Sequence, residues 1–231
     1  MKKIVLACLF LLIASGAYAQ DTIYDIQTGL VPEGSLATLN GVVVVAVRDI
    51  GVFVAEAPYA GYNGIWIYTG SDDPHGLVAG DVVAICGEYK EYYDVSEIDL
   101  PAAGLYGSIL KTGTQEVPAP FMITAADLLM DEEMWESCAI TITDGMEVTD
   151  TSLGYGEWLA TCMDGSEIKF DDWWYDFEQV AEGQCYDTAT GIYFYAFGTW
   201  RLEAYADGLI IVDCMVDTED LALGSVKAMY R

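Results

Sequence analysis

One histidine occurs in 231 residues, His75, in the stretch "SDDPHG". A catalytic base needs a nucleophile and an orienting acid within reach. Asp72 and Asp73 are close in sequence, but Asp, Pro and Gly together make a turn, so an exposed turn histidine is expected. Carboxylates present the opposite problem. With 37 Asp and Glu, acid pairs of the kind that hydrolyse glycosides occur throughout, and none stands out. "DGSEIKFDD" (164–172) and "SDDP" offer oxygen ligands of the kind calcium takes, yet neither has the D-x-D-x-D-G loop spacing. Weak Ca2+ association is the most they imply. A glycine loop for phosphates and a G-x-S-x-G elbow are both missing. With no C-x-x-C pair and a single histidine, no structural zinc is expected. The reading is a protein with no catalytic residues, no metal site and no cofactor.

Aromatic side chains are the remaining groups that recognise ligands. The chain has 16 Tyr, 7 Phe and 6 Trp, and "GIYFYAFGTWRL" (191–202) gathers Tyr193, Phe194, Tyr195, Phe197 and Trp200 around Gly198. Successive strand residues face opposite ways. Tyr193 and Tyr195 therefore point to one side of a hairpin and Phe194 to the other, one set filling a core and the other open to a ligand.

Charge narrows the partners. Residues 1–19 read as an export leader: Lys2 and Lys3, an apolar run from Ile4 to Ala14, and Ala17 and Ala19 in A-x-A positions. Cleavage near Ala19 gives a secreted or periplasmic chain and takes the net charge from −28 to −30. No other run is long enough to span a membrane. Residues 20–113 hold 13 acids and 3 bases, and residues 114–231 hold 24 acids and 4 bases. Such a field repels polyanions, and few cations means few phosphate contacts. Five cysteines follow the leader: Cys86, Cys138, Cys162, Cys185 and Cys214. Outside the cytoplasm they favour one or two disulfides in the second half, with Cys86 left as a thiol buried in a strand.

The elements that position these residues are strands. "TLNGVVVVAVRD", "GVFVAEA", "GIWIYTG" and "DVVAICGEYKEYY" are β-branched or aromatic runs separated by Gly, Pro and Asp. A proline-marked connector follows residue 113. One helix is predicted, at 124–136, with Thr124 as N-cap, Asp127 at N3, and Ile123 with Leu128 as a hydrophobic staple. Its acids Asp131, Glu132, Glu133 and Glu136 read as a solvated face. An internal repeat spans both halves: "GDVVAICGEYKEYYDVSEI" lies over "GQCYDTATGIYFYAFGTWRL", matching Gly87 with Gly191, Tyr89 with Tyr193, Tyr93 with Phe197 and Ile98 with Leu202. The expectation from strands and repeat is all-β: two similar tandem domains at 20–113 and 114–216, each a barrel or sandwich, one short capped helix before the second, and a tail at 217–231. Two bases near the end of "LGSVKAMYR" give that tail the look of a frayed terminus or a short sorting segment.

"GIWIYTGSDDPHGLVAGDVVAICGEYKEYYDVSEI" in the first copy, and "PAPFMITAADLLMDEEMWESCAITITDG" with "GQCYDTATGIYFYAFGTWRLEA" in the second, resemble the OB-fold domains of secreted bacterial nucleases and other exported bacterial proteins. The resemblance implies that each copy is a five-stranded OB-like Greek-key barrel, with a groove for an oligonucleotide or oligosaccharide across strands 2 and 3. It implies no activity, because those nucleases carry their chemistry in a separate domain. Mapped here, the stacking candidates are Tyr59, Tyr62, Trp66, Tyr68, Tyr92 and Tyr93 in the first copy. In the second they are Tyr155, Trp158, Trp173, Trp174, Tyr195 and Trp200. Arg48, Lys90 and Arg201 are the basic contacts. Aromatics stack bases at roughly 1–3 kcal/mol each, and sugars as readily.

Single-stranded nucleic acid, an oligosaccharide and other extracellular proteins remain open as partners. A component of an extracellular assembly and a hydrolase with an unrecognised acid pair remain open as roles.

Overall fold

The structure, a computed structural model, describes residues 20–70, 75–177 and 179–214. The expected leader, Asp72 and Asp73 beside His75, and the expected tail lie outside the described residues.

The first barrel opens with a helix that the sequence reading did not anticipate. Thr22 accepts the Asp25 N–H at 3.0 Å, and its own N–H donates to the Asp25 carboxylate at 3.3 Å, a reciprocal capping box. The capped segment, α1 (Ile23–Gln27), buries Ile23 and Ile26 completely. Five residues are too short to show a helical period, so only the T-x-x-D spacing marked it. Thr124-x-x-Asp127 repeats that spacing before the second barrel.

The strands follow as β1 (Leu36–Arg48), β2 (Gly51–Ala55), β3 (Gly64–Tyr68), β4 (Asp81–Glu91), β5 (Ser96–Asp99) and β6 (Ser108–Thr114). β1, β2 and β3 form an antiparallel meander. β3 pairs in parallel with β5, β5 runs antiparallel to β4, and β4 returns to β1. This closure of five strands is the OB-type Greek-key barrel. Bulges at Asn40–Val42 and Val44–Ala46 bend the long β1 so that it can serve both β2 and β4. β4 alternates buried and half-buried residues along nearly its whole length, the period of two expected of a barrel wall. β6 continues along the edge of β4 that β5 leaves open.

The second barrel repeats the plan. After β7 (Phe121–Ile123) and α2 (Ala125–Met130), β8 (Ala139–Ile142) and β9 (Met146–Gly154) together occupy the place of β1. Next come β10 (Glu157–Cys162), β11 (Glu167–Asp171), β12 (Cys185–Ala196) and β13 (Thr199–Val212). β11 and β13 are parallel at Phe170–Leu202, and β12 closes onto β8 and β9. The far half of β13 does in one strand what β6 does in the first barrel, pairing Leu209 with Ala189.

Two matched glycines show why the repeat is exact where it is. A Cβ on Gly87 would lie 2.3 Å from Ile98 Cγ2, and one on Gly191 would lie 2.2 Å from the Glu203 carbonyl oxygen. Each allows β4 or β12 to pass against the closing strand of its barrel.

Each barrel has its own core. Leu39, Ile67, Ile85 and Ile98 fill the first, and Trp158, Phe170, Tyr186 and Tyr193 the second.

The predicted helix 124–136 is shorter than expected. α2 stops at Met130, Asp131 is extended with φ −155°, and a 3-10 turn takes over at Glu133–Trp135. The break lets Trp135 enter the core and carries Glu136 toward the first barrel. Asp127 takes the Thr124 hydroxyl at 2.8 Å in addition to supplying the capped N–H. The acids beyond α2 are not a uniformly solvated face. Glu132 accepts from the Tyr193 hydroxyl at 2.5 Å, and Glu136 is 1% exposed.

One disulfide is present, Cys185–Cys214. Cys138 and Cys162 are buried thiols, and Cys86, expected to be buried, is half-buried in β4.

Candidate functional site

Two hairpin tips reach one cleft between the barrels through Tyr155 and Phe197, and a third adjoins it through Tyr92. Tyr93–Asp94, Tyr155–Gly156 and Phe197–Gly198 are two-residue turns joining β4 to β5, β9 to β10 and β12 to β13. Both central residues of each have positive φ: 52° and 66°, 56° and 83°, 52° and 82°. Hairpins need this to match strand twist, and Asn, Asp or Gly normally supplies it. Here an aromatic residue sits first in all three. Tyr93, Tyr155 and Phe197 are 78%, 99% and 96% exposed. Tyr93 meets the Tyr92 ring and the Arg201 guanidinium lies 5.8 Å from the Phe197 ring, but burial in a core does not account for them.

The cleft, about 1190 Å3 in volume, has Tyr155 and Phe197 on its rim with Tyr92, which packs edge-on against Tyr93 at 4.7 Å. Its floor is an aromatic seam joining the barrels. Phe53 from β2 contacts Trp66 at 4.6 Å, Phe194 at 5.3 Å and Trp174 at 5.8 Å. Trp173 stacks on Phe194 at 5.8 Å and meets Trp66 edge-on at 6.1 Å. The Arg48 guanidinium lies 4.8 Å above Trp173 and 5.9 Å from Trp174, in cation–π geometry. Direct bonds hold the seam shut: Tyr62 N–H donates to the Met134 carbonyl at 2.6 Å, and Ser96 N–H to Glu136 Oε2 at 3.2 Å.

The walls are charged. Of the five Lys and Arg among the described residues, Lys90, Lys169 and Arg201 line the cleft and Arg48 stands beneath it. The three in the walls are already engaged. Lys90 pairs with Asp99 at 2.8 Å, Lys169 with Glu157 at 3.0 Å, and the buried Arg201 with Asp171 at 2.5 Å and with Glu157. Glu97, Asp172 and Glu203, also in the walls, join no ion pair among the described residues. Burial, reinforced by Asp99 and Glu91 against the pull of Lys90, raises Glu97 to about 7. Burial, aided by Asp171 and Asp172 and opposed by Arg201 and Arg48, raises Glu203 to about 8. Burial and the charges of Asp171 and Asp176 raise Asp172.

Registers place the two walls in correspondence. Ile67 pairs with Ile98 in the first barrel as Phe170 pairs with Leu202 in the second. Counting from these pairs, Tyr68 has Asp171 as its counterpart, Trp66 has Lys169, Glu97 has Arg201 and Asp99 has Glu203.

Of the sequence-predicted residues, Trp66, Tyr68, Tyr92, Tyr155, Trp173, Lys90 and Arg201 meet at this cleft. Tyr93 stands at its edge, and Trp174 and Arg48 lie in the seam. The rest do not belong to it. Trp158 is buried in the second core, stacked on Phe170 at 5.3 Å and 9°; it is an inward-facing residue of β10, not a ligand platform. Trp200 covers Tyr193 at 5.5 Å and 2°, and Tyr195 leans on Trp200. Tyr59 accepts a hydrogen bond from Gln115, and Tyr62 sits edge-on to Tyr24 beside Asp131, both on the connector side. The stretch 191–202 divides between Tyr193 in the second core and Phe194 in the seam; Tyr195, expected on the side of Tyr193, packs against the seam cluster instead. Sequence reading missed Phe197 as a site residue, although the repeat matched it with Tyr93, and it missed the wall acids among so many others. Among the described residues no group of three potential ligands is placed to hold a metal ion. Asp164 bonds Ser166, while Asp171 serves Arg201 and the Trp173 N–H. No helix among the described residues is long and apolar enough to cross a membrane.

The chain matches no protein-family model and no curated protein. Among solved structures it is similar to the hypothetical protein ygiW from E. coli, with 21% identity over 40% of this chain and 88% of that one, at a TM-score of 0.28. It is also similar to the tetrameric p202 HIN2, with 12% identity over 78% of this chain and 93% of that one, at a TM-score of 0.36. A third similar structure, described as structural mimicry for functional antagonism, has 13% identity over 78% of this chain and 93% of that one, at a TM-score of 0.37.

Proposed function

We propose that this chain is an exported, non-catalytic binding protein in which two OB-like barrels hold one oligosaccharide in the cleft between them. The observation that carries the reading is that two exposed aromatic residues at positive φ, Tyr155 and Phe197, line a single cleft, with Tyr92 beside a third, Tyr93. Residues held in costly backbone conformations without burial to offset the cost cluster where ligands bind. Exposed tyrosine and phenylalanine faces suit the apolar faces of sugar rings, and the charged walls offer paired, fixed hydrogen-bonding groups for hydroxyls. An oligonucleotide, the ligand implied by the sequence resemblance, is disfavoured by the same walls. Lys90, Lys169 and Arg201 are bonded to carboxylates, which leaves them little to offer phosphates.

The test is tryptophan fluorescence, because Trp66 and Trp173 line the cleft. Titration with short oligosaccharides at moderate salt is expected to give a saturable change that Tyr155→Ala with Phe197→Ala abolishes. A response to single-stranded oligonucleotide alone would replace the glycan with nucleic acid. A response to neither ligand overturns the cleft as a site.

A further inference from the structure

The wall carboxylates carry the glycan reading one step further. A neutral sugar would leave Glu97, Asp172 and Glu203 as they are: three acids from both barrels, in one cleft, with no ion-pair partner among the described residues. Glu203 is 1% exposed, and its Oε2 has no hydrogen-bond partner. Glu97 is 5% exposed. A buried carboxyl oxygen without a partner is costly, and such atoms are satisfied in nearly every folded protein. Lys90 bonds Asp99, Arg201 bonds Asp171 and Glu157 through Nη1, and Arg48 covers Trp173. The Nε donors of Arg48 and Arg201 are also without hydrogen-bond partners, yet neither arginine forms an ion pair with Glu97, Asp172 or Glu203. A donor carrying positive charge, brought from outside, would supply the missing partner. The surroundings fit one. Tyr68, Tyr92, Tyr155 and Phe197 line the same space, and ring faces attract cations as they stack on sugars. A net charge of −28 draws cations toward the cleft from a distance.

We infer that the cleft selects a cationic sugar, an oligosaccharide bearing free amino groups, whose ammonium is received by Glu97, Asp172 and Glu203. This rests on the glycan reading above. Ammonium binding stabilises the ionised carboxylates, so near neutral pH Glu97 and Glu203, raised to about 7 and about 8, give up protons as the ligand enters. Asp99, Glu91, Asp171 and Asp176 resist that ionisation, and Lys90, Arg48 and Arg201 assist it.

The experiment compares glucosamine oligomers with N-acetylglucosamine oligomers of equal length by titration calorimetry at pH 7, in two buffers of different ionisation enthalpy. The rings are the same and only the amine differs. The free-amine oligomer is expected to bind roughly tenfold tighter or more, the effect of one carboxyl moving by about one pKa unit, and to release protons. Glu97→Gln with Glu203→Gln is expected to erase the preference for the free-amine oligomer and the proton release. Glutamine matches a protonated glutamate in size and polarity, so the fold is expected to survive, and the wild-type proton release stands as a test without any variant. Equal affinity for the two oligomers with no proton release overturns the cationic inference and leaves the glycan reading standing. Binding of neither overturns both. A preference that persists in the double variant overturns the assignment to these carboxylates.

Discussion

Tyr93 and Phe197 occupy the same point of the two barrels, each the first residue of a closing hairpin turn, each with φ of 52°, and each with its ring almost wholly in solvent. A bulky side chain in that backbone region costs about 1 kcal/mol or more. The cost appears twice in the repeat and a third time at Tyr155.

Phe197→Gly and Tyr155→Gly are accordingly expected to leave the fold as stable as before, or more stable by up to about 1 kcal/mol, while weakening ligand capture. Urea unfolding beside fluorescence titration checks this. A loss of more than about 1 kcal/mol in either variant would show that the ring supports the fold.

Trp158 provides the contrast. Its ring is buried against Phe170, so Trp158→Ala is expected to cost about 3–5 kcal/mol. Tyr92→Ala, at the exposed rim, is expected to change stability by less than about 0.5 kcal/mol. Denaturant midpoints of the two variants should separate cleanly.

The Cys185–Cys214 bond closes a loop with a sequence separation of 29, from the start of β12 to just beyond β13. Chain-entropy reasoning gives about 3–4 kcal/mol for a loop of this size. Reduction, or Cys185→Ser with Cys214→Ser, is expected to lower the unfolding midpoint accordingly and to loosen the far half of β13 first, as amide exchange would report.

Glu136 makes stability depend on pH. Burial, with Glu133 and Glu91 nearby, raises its carboxyl from an ordinary value of 4.5 to about 9, although the Ser96 N–H and Gln27 act against the shift. The folded state therefore holds a proton that the unfolded chain gives up. This contribution is fully present below about 4.5 and is lost as pH rises through about 9. Glu97 and Glu203, raised to about 7 and 8, act in the same direction. The melting temperature is expected to fall between pH 5 and pH 9, and Glu136→Gln to flatten the slope. A melting temperature that rises over this interval contradicts the assignment.

The strands and the repeat were legible because a barrel wall writes itself as alternation: β4 is an uninterrupted case, and Gly87 and Gly191 mark where backbone passes backbone. α1 was not, since a single turn of helix has a cap but no period. The end of α2 was misread because Glu132, Glu133, Met134 and Glu136 are good helix formers that outnumber the weak former Asp131 where the helix stops, and only contact with the other barrel turns Glu136 inward. The candidate site was half legible. Residue types named the aromatics, yet Trp66 and Trp158, alike in sequence as strand tryptophans, part company once one barrel packs against the other and makes the first a cleft wall. The wall acids carried no mark at all, because the burial of Glu203 with its Oε2 unpartnered in the cleft wall comes from packing that no local sequence pattern records.

The correspondence between the walls has a further meaning. Tyr68 stands where the second copy has Asp171, and Glu97 where it has Arg201, so the two walls facing the cleft are not copies of one another. A chain with two different ends can lie there in one orientation only, and divergence between the two copies gives this protein a sense of polarity.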